Sequence, residues 1–141
     1  MHKDLIVAIF APTTGTGKIP GCVGTGYPIT DDLILTARLV VEPTNRNHQE
    51  PIRVHWFYDE PAADKPTWIP IKEKDDLVWK GKGNLDAALI RCRRPAHLRR
   101  FSLPRLTDRK PAKDDLWESS GFARADKRDE VREPGEFGGT V

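Results

Sequence analysis

An aspartate beside an apolar run is the first position at which this sequence could hold a reactive group. Asp86 follows Leu85 and precedes Ala87-Ala88-Leu89-Ile90. A carboxylate in such surroundings needs hydrogen bonds, because burying an unpaired charge is costly. From the residues alone, Asp86 is interpreted as a structural aspartate that accepts backbone N–H groups at the start of a strand.

The side chains that could act as bases or metal ligands are few and scattered. They are His2, His48, His55 and His97, with Cys22 and Cys92. None of them shows the spacing of metal ligands. The stretch Thr14–Lys18 fails the phosphate-loop pattern, because Pro12 stands where glycine is needed and Ile19 where Ser or Thr is needed. The sequence therefore predicts neither a metal nor a cofactor.

A second motif lies upstream, in Gly24–Val41. It begins with Gly24-Thr25-Gly26 and ends with Leu35-Thr36-Ala37-Arg38-Leu39-Val40-Val41. It resembles trypsin-like (chymotrypsin-fold) serine proteases of the bacterial intracellular type, in which a G-[ST]-G strand pairs with a strand ending in L-T-A-x-H-V-V. By this resemblance, Leu39 occupies the position of the catalytic histidine. Asn84–Arg91 resembles the family's D-[LVA]-A-L-[IL]-R strand, which puts Asp86 at the triad aspartate, 47 residues after Leu39.

A looser resemblance extends toward the C-terminus. Trp117–Ala125 is similar to the W-x-x-x-G-[FY]-P strand that opens the second barrel of the family, with Ala123 in place of proline. The nucleophile motif G-x-S-G-[GA] does not occur in the 141 residues. The resemblance implies an all-β fold in three parts. We expect a six-stranded antiparallel Greek-key β-barrel over 1–92, a basic connector over 93–115 and the start of an incomplete second barrel over 116–141.

The resemblance implies descent from a serine peptidase and leaves enzymatic activity uncertain. The triad histidine takes the serine proton, which a leucine at position 39 cannot do. Without a base and a nucleophile, covalent acyl transfer has no route. His48, in a loop nine residues after Leu39, is a candidate for a substitute base.

Two classes of function stay open. The chain is a catalytically incomplete peptidase-derived domain, or it is a non-catalytic regulatory module that binds a protein partner. By resemblance, such a module belongs to a bacterial signalling or defence system. The expected partner is another protein or the remaining part of a second barrel, and an open strand edge near the C-terminus would allow strand addition.

Short strands must position these residues. Twelve prolines and eleven glycines disfavour long helices. Apolar and β-branched runs predict strands over 5–10, 21–30, 33–37, 52–58, 85–92 and 116–125, and two strand pieces over 67–71 and 76–79. The strand at 33–37 is expected to run on into Arg38–Val41. The stretch 43–51 is expected to be a polar loop.

The amino-acid composition limits the classes of binding partner and the cellular compartment that we expect for this chain. A net charge of +2 gives no general attraction to nucleic acid or to an anionic membrane. No run approaches the 18 apolar residues of a membrane span. Two cysteines suggest small buried residues in a reducing compartment rather than a disulfide, so we expect a cytoplasmic protein. The basic run between Arg91 and Lys113 is interpreted as a solvated connector rather than a nucleic-acid site.

Overall fold

The computed structural model describes residues 6–15, 20–56, 67–96, 107–121 and 135–140. Its first seven strands are β1 (Val7–Pro12), β2 (Gly21–Pro28), β3 (Leu33–Thr36), β4 (Arg53–Trp56), β5 (Ile69–Pro70), β6 (Leu77–Lys80) and β7 (Ala88–Arg91). Two one-turn helices interrupt them, α1 (Arg38–Val41) and α2 (Glu73–Asp76). The seven strands form one antiparallel sheet in the order β5-β4-β1-β2-β3-β7-β6. The prediction of an all-β antiparallel fold is therefore confirmed.

The connection between the two edge strands forces this sheet to curl. Neighbouring strands lie about 4.8 Å apart, so a flat sheet of seven strands would separate β5 from β6 by about 29 Å. The chain from Pro70 to Leu77 reaches at most about 24 Å when fully extended. The helical turn α2 within it shortens that reach further. The edges must therefore approach each other.

The core lies on the concave face, because alternating side chains of the strands point to that face. Its members include Val7 and Ile9 of β1, Ile34 of β3, Val54 of β4 and Ile90 of β7. Strand β1 is buried along its whole length. On its other face, the Phe10 ring meets the Trp68 ring edge to face at 6.2 Å. This interior strand is thus covered on both sides, which explains its unbroken apolar sequence.

The second sheet is a pair of strands, β8 (Leu116–Gly121) and β9 (Gly135–Thr140). They pair antiparallel from Leu116 opposite Thr140 to Gly121 opposite Gly135. One edge of β9, the described strand nearest the C-terminus, is therefore occupied by β8. The described parts of the basic connector, 93–96 and 107–115, contain no helix or strand. Arg99, Arg100 and Arg105 of the basic run lie outside the described residues.

Several local predictions need correction. Arg38–Val41 is a helical turn instead of the end of a strand, and the charged stretch Glu73–Asp76 is a second such turn. The sheet has seven strands rather than six, because β5 and β6 are separate strands on opposite edges. Strand β7 begins at Ala88, so Asp86 lies in the segment before it. Positions 5, 57–58 and 122–125 of the predicted strands lie outside the described residues.

The two cysteines differ in exposure. Both are free thiols, and burial was predicted correctly for Cys92 but wrongly for Cys22, which is exposed on β2. Burial raises the pKa of the Cys92 thiol. Within the described residues, no helix is long and apolar enough to cross a membrane.

Candidate functional site

The Leu39 turn, residues 37–42, is built around α1. Ala37 is still extended, with φ −75° and ψ 144°, and α1 begins directly after it. The Val40 N–H donates to the Ala37 carbonyl at 3.1 Å, and the Glu42 N–H donates to the Arg38 carbonyl at 2.9 Å. The chain reverses here within a single helical turn. Leu39, in the middle of the turn, is 61% exposed.

Two features of β2 and β3 fix the Leu39 turn on the sheet. A Cβ on Gly24 would lie 2.5 Å from both methyl groups of Val40, so only glycine lets β2 approach the turn this closely. The buried Thr36 hydroxyl donates to the Thr25 carbonyl at 2.8 Å and joins the end of β3 to β2. The glycine and threonine of the upstream motif therefore each have a local structural reason.

Asp86 lies beside this turn. Its Oδ1 accepts a hydrogen bond from the Leu39 backbone N–H at 2.9 Å. The two residues are far apart in sequence, and the pairing of β3 with β7 brings their segments together. Asp86 is exposed rather than buried. The structure thus joins Leu39 and Asp86, and the contact is the backbone hydrogen bond that the structural interpretation predicted.

Two further contacts hold the turn against the segment before β7. The Arg38 guanidinium donates through Nη1 to the Gly81 carbonyl at 3.1 Å. The Lys80 ammonium donates to Glu42 Oε1 at 2.9 Å. This hydrogen bond holds the pKa of Glu42 below its ordinary value, and the positive charge of Arg38 acts in the same direction. These contacts connect both ends of α1 to Lys80 and Gly81, at the C-terminal end of β6.

The histidines lie elsewhere. His48 Nδ1 is 3.3 Å from Glu73 Oε2, so its carboxylate partner is Glu73 rather than Asp86. His55, on β4, has its Nδ1 at 2.8 Å from the Thr67 carbonyl. His2 and His97 lie outside the described residues. Across the described part of the chain, no group of three or more His, Cys, Asp or Glu side chains could hold a metal ion.

Arg46 is a buried, multiply hydrogen-bonded residue that the sequence did not predict. It lies in the predicted polar loop, yet its side chain is only 3% exposed. Its Nε donates to Glu73 Oε1 at 2.9 Å, and its Nη1 donates to the Pro12 carbonyl at 3.1 Å. Nη1 also donates to the Asn47 carbonyl, and Nη2 to Glu50 and Glu73. A lone arginine among polar loop residues gives no periodic signal of burial.

No family model, curated protein or solved structure matches this chain. The chemistry of the site therefore has to be argued from its own groups. It offers an exposed carboxylate, a backbone N–H bound to it and two exposed leucines, Leu39 and Leu85. Such a set can bind and orient a ligand. It contains no proton-transfer group between the carboxylate and a nucleophile.

Proposed function

We propose that this chain is a domain derived from a trypsin-like serine peptidase, which keeps the first barrel and lacks covalent catalysis. The order of the strands supports the Greek-key part of this proposal. Three consecutive neighbours, β1, β2 and β3, are followed by β4, which returns to lie beside β1. The spatial order 4-1-2-3 is the definition of a Greek key. The curl of the sheet is compatible with a barrel.

The hydrogen bond between Leu39 and Asp86 is the observation that carries the proposal. In a Ser-His-Asp triad, the aspartate accepts a hydrogen bond from the histidine and holds its ring in place. Here a carboxylate holds the backbone of the residue that stands at the histidine position, at 2.9 Å. The hydrogen bond joins the two positions that the resemblance assigns to the histidine and the aspartate of the triad, which lie 47 residues apart in the sequence.

The same residues argue against catalysis by these 141 residues. The Leu39 side chain has no lone pair and no exchangeable proton, so it cannot act as a general base. The sequence contains no G-x-S-G motif, and Ser119 and Ser120 belong to β8 in a context unlike it. His48 is paired with Glu73. Acyl transfer thus lacks both base and nucleophile.

Binding to a protein partner is the second candidate function. It is favoured by the exposure of two leucines beside Asp86, at 61% for Leu39 and 54% for Leu85. Large apolar side chains that stay exposed together are typical of interaction surfaces. The loss of the catalytic base would leave such a surface intact.

Peptide hydrolysis tests the first proposal. The wild-type chain and the Leu39→His variant are assayed with a casein substrate that fluoresces on cleavage, and Asp86→Asn, introduced into each of them, serves as the matched control. We expect all four proteins to equal buffer, because restoring the base does not supply a nucleophile. Turnover by the wild type or by Leu39→His that is abolished by Asp86→Asn would contradict the proposal.

A further inference from the structure

Three neighbouring residues form an exposed surface that we call the Leu39–Asp86 surface: Leu39, Leu85 and Asp86. The leucines are among the most exposed large apolar side chains of the described chain. Exposing an apolar side chain forgoes the free energy that burying it would contribute. A single exposed leucine needs no explanation, whereas two close to the same carboxylate form a candidate binding patch.

Both leucines lie close to Asp86. The Leu39 N–H binds Asp86 Oδ1 at 2.9 Å, and Leu85 directly precedes Asp86 in the chain. Arg38 binds the Gly81 carbonyl, and a Cβ on Gly81 would lie 3.0 Å from Leu85 Cγ. Gly81 therefore contacts both the Leu85 side chain and the arginine at the start of the Leu39 turn.

The charge at the centre of this surface is only partly satisfied. Oδ1 of Asp86 accepts the Leu39 N–H, while among the described residues Oδ2 has no hydrogen-bond or ion-pair partner. Two cations of this region are engaged elsewhere, Lys80 by Glu42 and Arg38 by the Gly81 carbonyl. The surface therefore offers one carboxylate oxygen close to two exposed leucines.

We propose that the Leu39–Asp86 surface binds an extended segment of a partner protein that carries an arginine or lysine between apolar residues. This inference rests on the proposed function, since it needs a leucine where a peptidase has its histidine. A guanidinium or ammonium group donates to Oδ2 in a charge-assisted hydrogen bond. The aliphatic stem of the basic residue and its apolar neighbours cover Leu39 and Leu85. The small area predicts a weak, transient contact.

Peptide titration of the full-length, ¹⁵N-labelled protein tests this proposal. The probe is the capped peptide Gly-Leu-Arg-Leu-Gly, and the matched peptides are Gly-Leu-Glu-Leu-Gly and Gly-Ser-Arg-Ser-Gly. We expect the arginine–leucine probe to shift the backbone amides of 38–40 and 85–87 in a saturable way. The two matched peptides should bind at least about fivefold more weakly, because each lacks the charge or the apolar contact.

Variants locate the binding. Asp86→Asn keeps an oxygen acceptor for the Leu39 N–H but removes the charge, and should weaken binding about tenfold. Leu39→Ser and Leu85→Ser should each weaken it several-fold. Leu116→Ser removes a leucine that is 86% exposed on β8, and Asp114→Asn removes an exposed charge in a backbone conformation that asparagine tolerates. Neither control should change the affinity.

Each other outcome overturns a stated claim. Absence of shifts at millimolar probe, equal binding of the glutamate peptide, or shifts confined to other residues would overturn the docking proposal. Concentration-dependent broadening of the same amides without peptide would assign the surface to a second copy of this chain and overturn it too. Cleavage of the probe, followed by mass spectrometry, would contradict the proposed function instead. An intact probe that does not bind contradicts the docking proposal alone.

Discussion

Two segments that follow β3 within ten residues are held to the sheet in opposite ways. The Leu39 turn exposes its central side chain and is anchored by a backbone N–H on the Asp86 carboxylate. The loop around Arg46 buries its central side chain, which donates to Glu73 and to three backbone carbonyls. In the first segment the backbone is held and the side chain is available. In the second the side chain itself is the anchor.

This difference distinguishes residues whose side chains stabilise the fold from residues whose side chains are available for binding. Removing the Arg46 side chain would leave Glu73 and the Pro12, Asn47 and Glu50 carbonyls without their donor, and an unsatisfied buried polar group is costly. Removing the Leu39 side chain would leave no buried group unpaired. The fold should therefore depend on Arg46, and any binding at the site should depend on Leu39.

The largest expected effect is that of Arg46→Ala. Breaking a buried ion pair by removing one partner costs about 3–5 kcal/mol, because the other charge stays uncompensated. Glu73 is partly exposed, so water offsets some of this cost and the lower end is expected. Urea unfolding measures the loss, with Arg91→Ala on the exposed side of β7 as the control. A loss below about 1 kcal/mol would remove the contrast between the two segments.

Gly24→Ala should rank second, because its new methyl group would press on Val40 and displace the Leu39 turn. Overpacking of this kind costs about 1–3 kcal/mol. The double variant Gly24→Ala/Val40→Ala removes the opposing methyl groups and should recover part of the loss. Urea unfolding of the four proteins of this double-mutant cycle measures the coupling free energy. Additive effects would show that the turn is not positioned by this contact.

Asp86→Ala should have the smallest effect on stability, about 0.5–1.5 kcal/mol for one exposed hydrogen bond. Its local effect should be clear, because the Leu39 N–H loses its acceptor. Amide hydrogen exchange should become faster at Leu39 and stay unchanged at Val40, whose N–H donates to the Ala37 carbonyl. Unchanged exchange at Leu39 would show that Asp86 does not hold the turn.

The sequence predicted the strands better than the segments between them. Alternating and unbroken apolar runs identified β1, β3 and β4 to within about two residues and β7 to within about three. The helical turn α1 was missed because Leu39-Val40-Val41 continues the β-branched pattern of β3. Its conformation is set by contacts with Gly24 and Asp86, which are distant in sequence. Tertiary packing overrode local propensity there.

The candidate site was predicted in part for the same reason. The pairing of Leu39 with Asp86 was expected from the resemblance, and the structure brings the two together through the backbone of Leu39. Burial of Arg46 depends on Glu73 and on carbonyl groups from β1 and the loop, and no local pattern encodes such a set. The sequence predicted that Leu85 belongs to the apolar strand at 85–92, whereas Leu85 is exposed and β7 begins only at Ala88. The apolar run itself does not indicate where the strand starts.

The ionisation of an imidazole placed at position 39 tests most directly whether Asp86 occupies the triad aspartate position. In Leu39→His, the carboxylate favours the charged ring, so its pKa should lie about one unit above the ordinary value of about 6.5. NMR titration measures it, and Val78→His on the exposed part of β6 is the control. We expect a raised pKa that returns to the control value in Leu39→His/Asp86→Asn. A pKa at or below the control, or one that Asp86→Asn does not change, would contradict it.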